Sequence, residues 1–106
     1  MKIGIVISSN DTETVWNALR FANFSLGQAD QVNVFFMGKA VEYQQIGSEK
    51  YDVVHQAEMI LSAGGAIFAC GTCMTSRNQS ETEICPISTM KDLYQIVSES
   101  DRLLTF

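Results

Sequence analysis

Four consecutive residues, Cys70-Gly71-Thr72-Cys73, carry the strongest chemical signal in the sequence. Two thiols so spaced can share one turn of backbone. A thiol of lowered pKa is a nucleophile that attacks a disulfide, accepts sulfane sulfur as a persulfide or binds a metal. The pair follows Ala66 to Ala69, a short apolar run of strand type, and the residues after it suit one or two turns of helix. Cys70 is therefore expected where a strand gives way to a helix, with its sulfur facing unpaired backbone N–H groups and the helix's positive end, a setting that favours thiolate. Arg77, about two helical turns further on, adds positive potential from the same side.

Other chemistries fit the residues less well. A cysteine at a strand end is also an ordinary small buried hydrophobe, and Cys85, in a polar stretch, reads as incidental. Zinc has four ligands of acceptable type in Cys70, Cys73, Cys85 and the only histidine, His55, but a structural site usually uses two knuckles and only one Cys-x-x-Cys is present. Dithiol–disulfide exchange of the thioredoxin type also uses a motif between strand and helix. There, however, the motif follows the first central strand and a cis-proline stands nearby, whereas the single proline here is Pro86, in the loop before the last helix. Gly38-Lys39 lacks the spacer of a phosphate loop, and no Gly-x-Gly-x-x-Gly follows the first strand. Ser8 and Ser9 have no evident base.

The elements that must position these groups alternate along the chain. Lys2 to Ile7 and Val32 to Met37 are apolar runs of the kind buried on both faces of a parallel sheet. Between them a helix starts at Asn10, a candidate N-cap with Glu13 three residues on. It presents Val15, Leu19, Ala22 and Leu26 on one face and stops at Gly27. A second helix is expected from about Asp52 to Ala63, with Val53, Ala57, Ile60 and Leu61 inward and Gly64-Gly65 as its stop. After the third strand come a polar stretch, a helix capped by Ser88 or Thr89 in which Met90, Leu93, Tyr94 and Val97 share a face, and a terminal strand from Arg102 to Phe106.

This order predicts an α/β fold, a three-layer sandwich with a mostly parallel sheet of four to five strands and helices on both faces. In such sheets ligand sites form outside the carboxyl ends of the strands. That edge should collect Ser8, Ser9 and Asn10 after the first strand, Gly38 and Lys39 after the second, and Cys70 to Cys73 after the third. Trp16, Phe21 and Phe24 give the first helix apolar residues on both faces, which points to self-association.

Composition narrows the function classes. The 106 residues are 46% hydrophobic with seven Lys/Arg against twelve Asp/Glu, a net charge of −5, which gives one domain with a core of its own and no basic footprint for nucleic acid. No apolar run approaches the ~20 residues that span a bilayer. Three cysteines, an odd number, fit free thiols in a reducing compartment, and neither a leader nor an anchor is evident, so a soluble cytoplasmic protein is expected.

The chain resembles the DsrE/DsrF-like family of small α/β proteins, which includes TusD-like sulfur-relay subunits. The resemblance runs through Lys2 to Ile7, Val32 to Met37, Ala66 to Arg77 and Ser88 to Phe106, and is most specific from Cys70 to Arg77. In the relay subunits a cysteine ends the third strand, a short helix follows with an arginine about seven residues later, and the cysteine carries sulfur as a persulfide. The resemblance implies that role for Cys70, with Cys73, typical of a Cys-Gly-Thr-Cys branch, as a resolving thiol. Ser8, Ser9, Asn10, Lys39, Gly71, Thr72 and Arg77 would surround the substrate, with Lys39 and Arg77 holding anionic sulfur species. Neither a cofactor nor a metal is implied. The partners implied are other copies of the chain, as a homotrimer or hexamer, and a sulfur-donor or acceptor protein. The relay subunits commonly have glycine after the arginine; here Asn78 stands there, a residue that also tolerates a left-handed backbone. A non-enzymatic oligomeric binding subunit and a thiol–disulfide redox protein are the alternative readings.

Overall fold

A computed structural model describes residues 1–106. The elements in chain order are β1 (Lys2–Ile7), α1 (Thr12–Gly27), β2 (Gln31–Phe36), a 3-10 turn (Gly38–Glu42), α2 (Val53–Ser62), β3 (Ala66–Cys70), α3 (Gly71–Thr75), β4 (Ile87–Ser88), α4 (Met90–Glu99) and β5 (Arg102–Thr105). The five strands form one sheet in the order β4-β3-β2-β1-β5, and every neighbouring pair is parallel. The α/β sandwich expected from the alternating pattern is thus the observed one. No helix is long and apolar enough to cross a membrane.

The apolar runs became inner strands because both of their faces are covered. On β1, Ile3 to Ile7 are all buried. Gly4 looks toward Ile96 and Ser100 at the end of α4, so the alternation of a strand turns Ile3, Ile5 and Ile7 to the opposite face, where α1 and α2 pack together. Val34 and Phe36 of β2 continue that layer through the register Ile5↔Val34 and Ile7↔Phe36. Phe35 lies on the α4 side and stacks on Phe68 of β3, centroids 6.5 Å apart.

Local signals held with small shifts. The N-cap of α1 is Asp11, whose carboxylate accepts the Thr14 N–H at 2.9 Å; Asn10, the expected cap, instead donates its amide to Glu42 at 3.2 Å. On α2 the inner face is Val53, Ala57 and Ile60, and Leu61 is exposed, because one residue past Ile60 the helix has turned by about 100°. Thr89 and Asp92 form a reciprocal capping box at the start of α4. Of the expected shared face of α4, Met90, Tyr94 and Val97 are exposed and Leu93 is half-buried against the core, and Ile96 is the α4 residue fully buried against the sheet. The two-residue β4 was not foreseen, since two residues carry no period.

Beyond α3 the chain keeps turning to Arg77 and is then stopped by Asn78 with φ 52°. The Gln79 N–H reaches the Met74 carbonyl at 2.9 Å and the Asn78 N–H the Thr75 carbonyl at 3.0 Å, the two bonds of a Schellman ending. Asn78 therefore takes the left-handed position at which glycine most often ends a helix. Asn78→Gly should leave the urea midpoint within experimental error of wild type or raise it, whereas Asn78→Val should lower stability by about 1–2 kcal/mol, because a β-branched side chain is strained in the left-handed region.

Candidate functional site

Cys70 is the last residue of β3 and the N-cap of α3: its sulfur accepts the Cys73 N–H at 3.4 Å, the part a serine or aspartate oxygen plays at other helix starts. That bond folds the first turn of α3 back over the strand end and brings the Cys73 sulfur to 2.8 Å from the Cys70 sulfur. The pair is closer than an ordinary nonbonded contact of two sulfurs and longer than the ~2.05 Å of a disulfide bond, and both thiols are free. A third group completes the cluster. The N–H of Gly38, the first residue of the 3-10 turn after β2, donates to the Cys73 sulfur at 3.2 Å. Gly38 has φ +58°, a conformation a side chain there would resist.

The two sulfurs differ in exposure. Cys70 is 6% exposed and belongs to the core. Ser88 of β4 lies alongside it in register, and Gly71 lets this edge approach closely, since a Cβ there would stand 3.2 Å from the Ser88 carbonyl oxygen. Cys73 is only partly buried, and Thr72 between them is exposed. Burial pushes the Cys70 thiol up from its ordinary range and the Cys73 thiol adds to the rise, while the backbone N–H groups of Cys73 and Thr72 pull the other way. The expectation of a thiolate-favouring setting at Cys70 is therefore corrected: the N–H donors are present, but loss of water outweighs them.

Arg77 is engaged elsewhere than expected. Its Nε is 3.0 Å from a Glu42 carboxylate oxygen, and Nη1 donates to the Cys73 carbonyl at 3.1 Å and to the Ser76 hydroxyl at 3.4 Å. Glu42 also accepts the Asn10 amide. These two hydrogen bonds, Asn10 first and Arg77 second, hold its carboxyl below the usual range, with the charges of Arg77 and Lys39 adding to the effect. One carboxylate thus ties together the loop after β1, the 3-10 turn after β2 and the end of α3. Sequence reasoning missed Glu42, and also the Gly38 N–H: an acid inside a short turn carries no spacing signal, and a backbone donor carries none at all.

The remaining sequence candidates separate. Lys39 is exposed next to Gly38. Ser8 donates its hydroxyl to the Phe106 carbonyl at 3.3 Å, toward β5, and the Ser9 hydroxyl accepts the Asp11 N–H at 3.0 Å. With β2 between β1 and β3, Ser8 sits roughly two strand spacings, ~10 Å, from the strand that carries Cys70. The zinc candidates are not gathered, and no group of three or more His, Cys, Asp or Glu side chains is placed to hold a metal ion. His55 is exposed on α2. Cys85 is fully buried, where its thiol accepts the Gln79 amide at 3.5 Å, and Tyr43 beside it donates its hydroxyl to the Ile84 carbonyl. Burial raises the Cys85 pKa as well.

The arrangement is a dithiol at the carboxyl edge of a parallel sheet, one sulfur inside and one at the surface. Several known proteins are similar. The uncharacterized protein MJ0989 of Methanocaldococcus jannaschii is 29% identical, with 100% of each chain covered. The uncharacterized protein MK0008 of Methanopyrus kandleri is 30% identical over 89% of this chain and 83% of its own. Among solved structures, the ychN protein from E. coli superposes with a TM-score of 0.87 at 27% identity, covering 100% of this chain and 99% of that one. A conserved protein of unknown function, BT1422 from Bacteroides thetaiotaomicron, shares the fold, with a TM-score of 0.77 at 18% identity over 99% and 94% of the two chains. The sequence model of the DsrE/DsrF-like family matches residues 1–106, and the chain belongs to that family.

Proposed function

We propose that this protein is a small sulfur carrier with sulfurtransferase-like activity, holding sulfane sulfur as a persulfide on Cys70 with Cys73 as its partner thiol. The observation that carries the reading is the pair of free sulfurs 2.8 Å apart at the carboxyl edge of the sheet. In the loading step a thiolate attacks the outer sulfur of a persulfide R–S–SH; the new S–S bond forms as the old one breaks, and R–S⁻ leaves. An acceptor thiolate then takes the outer sulfur by the same exchange. Alternatively, Cys73 as thiolate attacks the inner sulfur of a Cys70 persulfide, closes a disulfide and expels HS⁻. No cofactor takes part in these steps.

The surroundings suit that chemistry. The Cys73 and Thr72 N–H groups face the Cys70 sulfur, and burial keeps a loaded sulfur from water and stray thiols. Lys39 follows the Gly38 whose N–H bonds the Cys73 sulfur, and Arg77 bonds the Cys73 carbonyl and must share its charge with Glu42 to serve an anionic sulfur species. Ser8, Ser9 and Asn10 then serve the rim and its loop structure. The reading includes self-association, to which the exposed Phe21, Phe24 and Tyr94 are suited, delivery to or from a partner protein, and work in the cytoplasm, where thiols stay reduced. The same short sulfur–sulfur distance also favours a second reading, thiol–disulfide exchange without sulfane sulfur.

Mass spectrometry of the fresh, reduced protein after brief exposure to glutathione persulfide decides between them. The carrier reading expects a gain of one sulfur atom, mapped by peptide fragmentation to Cys70, retained in Cys85→Ser and absent from the Cys70→Ser/Cys73→Ser double variant. No gain in the wild type and none in either single variant, Cys70→Ser or Cys73→Ser, where no second thiol can close a disulfide and expel the sulfur, overturns it.

The pH dependence has a definite sign. A thiol whose pKa is raised stays protonated further up the pH scale, so alkylation of Cys70 by iodoacetamide should keep rising above pH ~8.5, the ordinary thiol midpoint. In Cys73→Ala the midpoint should move down, because one of the two groups opposing the thiolate is gone. Site-resolved alkylation rates across pH 6 to 10 measure both.

A further inference from the structure

We infer that Cys73, and not Cys70, is the thiol that meets the donor: sulfur arrives on Cys73 and is handed inward to Cys70. The inference rests on the carrier reading and fixes the order in which the two sulfurs work.

Transfer between sulfurs is an in-line displacement, so the attacking sulfur, the transferred sulfur and the leaving sulfur must lie roughly along one line. The leaving sulfur of a donor carries the donor's bulk. A receiving thiol must therefore be open along the whole approach, and Cys70, 6% exposed and flanked by the β4 edge at Ser88 and Gly71, is not. Cys73 stands at the opening. It is partly exposed, exposed Thr72 is its neighbour in the chain, and exposed Lys39 directly follows the Gly38 whose N–H bonds its sulfur. Lys39 makes no ion pair and offers an approaching anionic donor a charge at this mouth. Once the donor has left, the cargo is a single sulfur atom, and the inner step needs room for that atom alone.

The steps balance. Cys73 thiolate attacks the outer sulfur of R–S–SH, giving Cys73–S–SH and R–S⁻. Cys70, giving its proton to R–S⁻ or to water, attacks the outer sulfur of Cys73–S–SH, giving Cys70–S–SH and restoring the Cys73 thiolate. No outside oxidant is needed: in each exchange the receiving sulfur is formally oxidised as the leaving sulfur is reduced by the same amount. For the inner step the two cysteine sulfurs part from their 2.8 Å contact, because the transferred atom must lie in line between them, and partly exposed Cys73 is the side chain with solvent to move into.

Donor size separates this order from direct loading. In rapid-quench experiments with glutathione persulfide, followed by alkylation and peptide mapping, Cys73→Ser should slow the appearance of sulfur on Cys70 by about tenfold or more, equivalent to ~1.4 kcal/mol of barrier. With inorganic hydrogen disulfide, whose leaving sulfur carries no bulk, the same variant should load Cys70 at close to the wild-type rate. Cys70→Ser should accumulate the sulfur on Cys73. Loading of Cys70 in Cys73→Ser by glutathione persulfide at the wild-type rate overturns the order while leaving the carrier reading intact. Equal slowing with both donors also overturns it, since Cys73 would then act only through the shape of the turn. Absence of sulfur from either cysteine in the wild type and in both single variants overturns the carrier reading itself, and the order with it.

Discussion

A single sulfur atom closes the junction between β3 and α3. The Cys70 side chain ends the strand and caps the helix in one position, and by accepting the Cys73 N–H at 3.4 Å it curls the chain so that a second sulfur returns to its side. Thiol sulfur is a weak acceptor, so this cap stabilises less than an oxygen would. The junction is held from outside as well. Gly38 donates to Cys73 from the start of the 3-10 turn after β2, Arg77 braces the Cys73 carbonyl, and the Schellman turn at Asn78 returns the chain toward β4. If the sulfur–sulfur contact were lost, nothing else at this edge of the sheet would resemble a reactive site.

The same position accounts for the main tension in the molecule. Burying Cys70 shields it from adventitious oxidants and thiols, and burial also opposes the ionisation that makes a thiol reactive. Two backbone N–H groups offset part of that cost and do not reverse it. A buried sulfur suits storage and a surface sulfur suits exchange, and Cys-x-x-Cys places one of each within a single turn. Glu42 adds a constraint of a different kind. By pairing with Arg77 and accepting from Asn10 it fixes the three loops that frame the dithiol, and it places a negative charge where a small sulfur dianion would otherwise find two cations.

Away from the site, the fold is held by the sandwich of β1, β2 and β3 between α1 with α2 on one side and α4 on the other. The two sides are unequal. The α1 and α2 face buries Ile5, Ile7, Val34 and Leu19 completely, while α4 contributes Ile96 and leaves Met90, Tyr94 and Val97 in solvent. An amphipathic pattern identifies the stripe and not the partner that the stripe will face, which is why the apolar positions of α4 gave the helix correctly but only Leu93 among them packs toward the core.

Legibility in the sequence followed the range of the interactions involved. The strands Lys2 to Ile7 and Val32 to Met37, the second observed as Gln31–Phe36, the helices α1 and α2 and a cap for the last helix at Ser88 or Thr89 were readable because period, cap and stop are properties of neighbours along the chain. So was the dithiol, whose three-residue spacing is local, whereas the sequence marked Asn78 only as a residue that tolerates a left-handed backbone and the structure gives it φ 52°. What the sequence by itself determined was a parallel α/β protein with two thiols on one turn at a strand end. Only the tertiary structure decided which thiol is buried, that Arg77 pairs with Glu42, and that Ser8 faces β5 and not the sulfurs. Each of those outcomes joins residues about thirty or more positions apart or depends on a two-residue strand, and burial and long-range pairing are set by which segments meet in space, something no local pattern records.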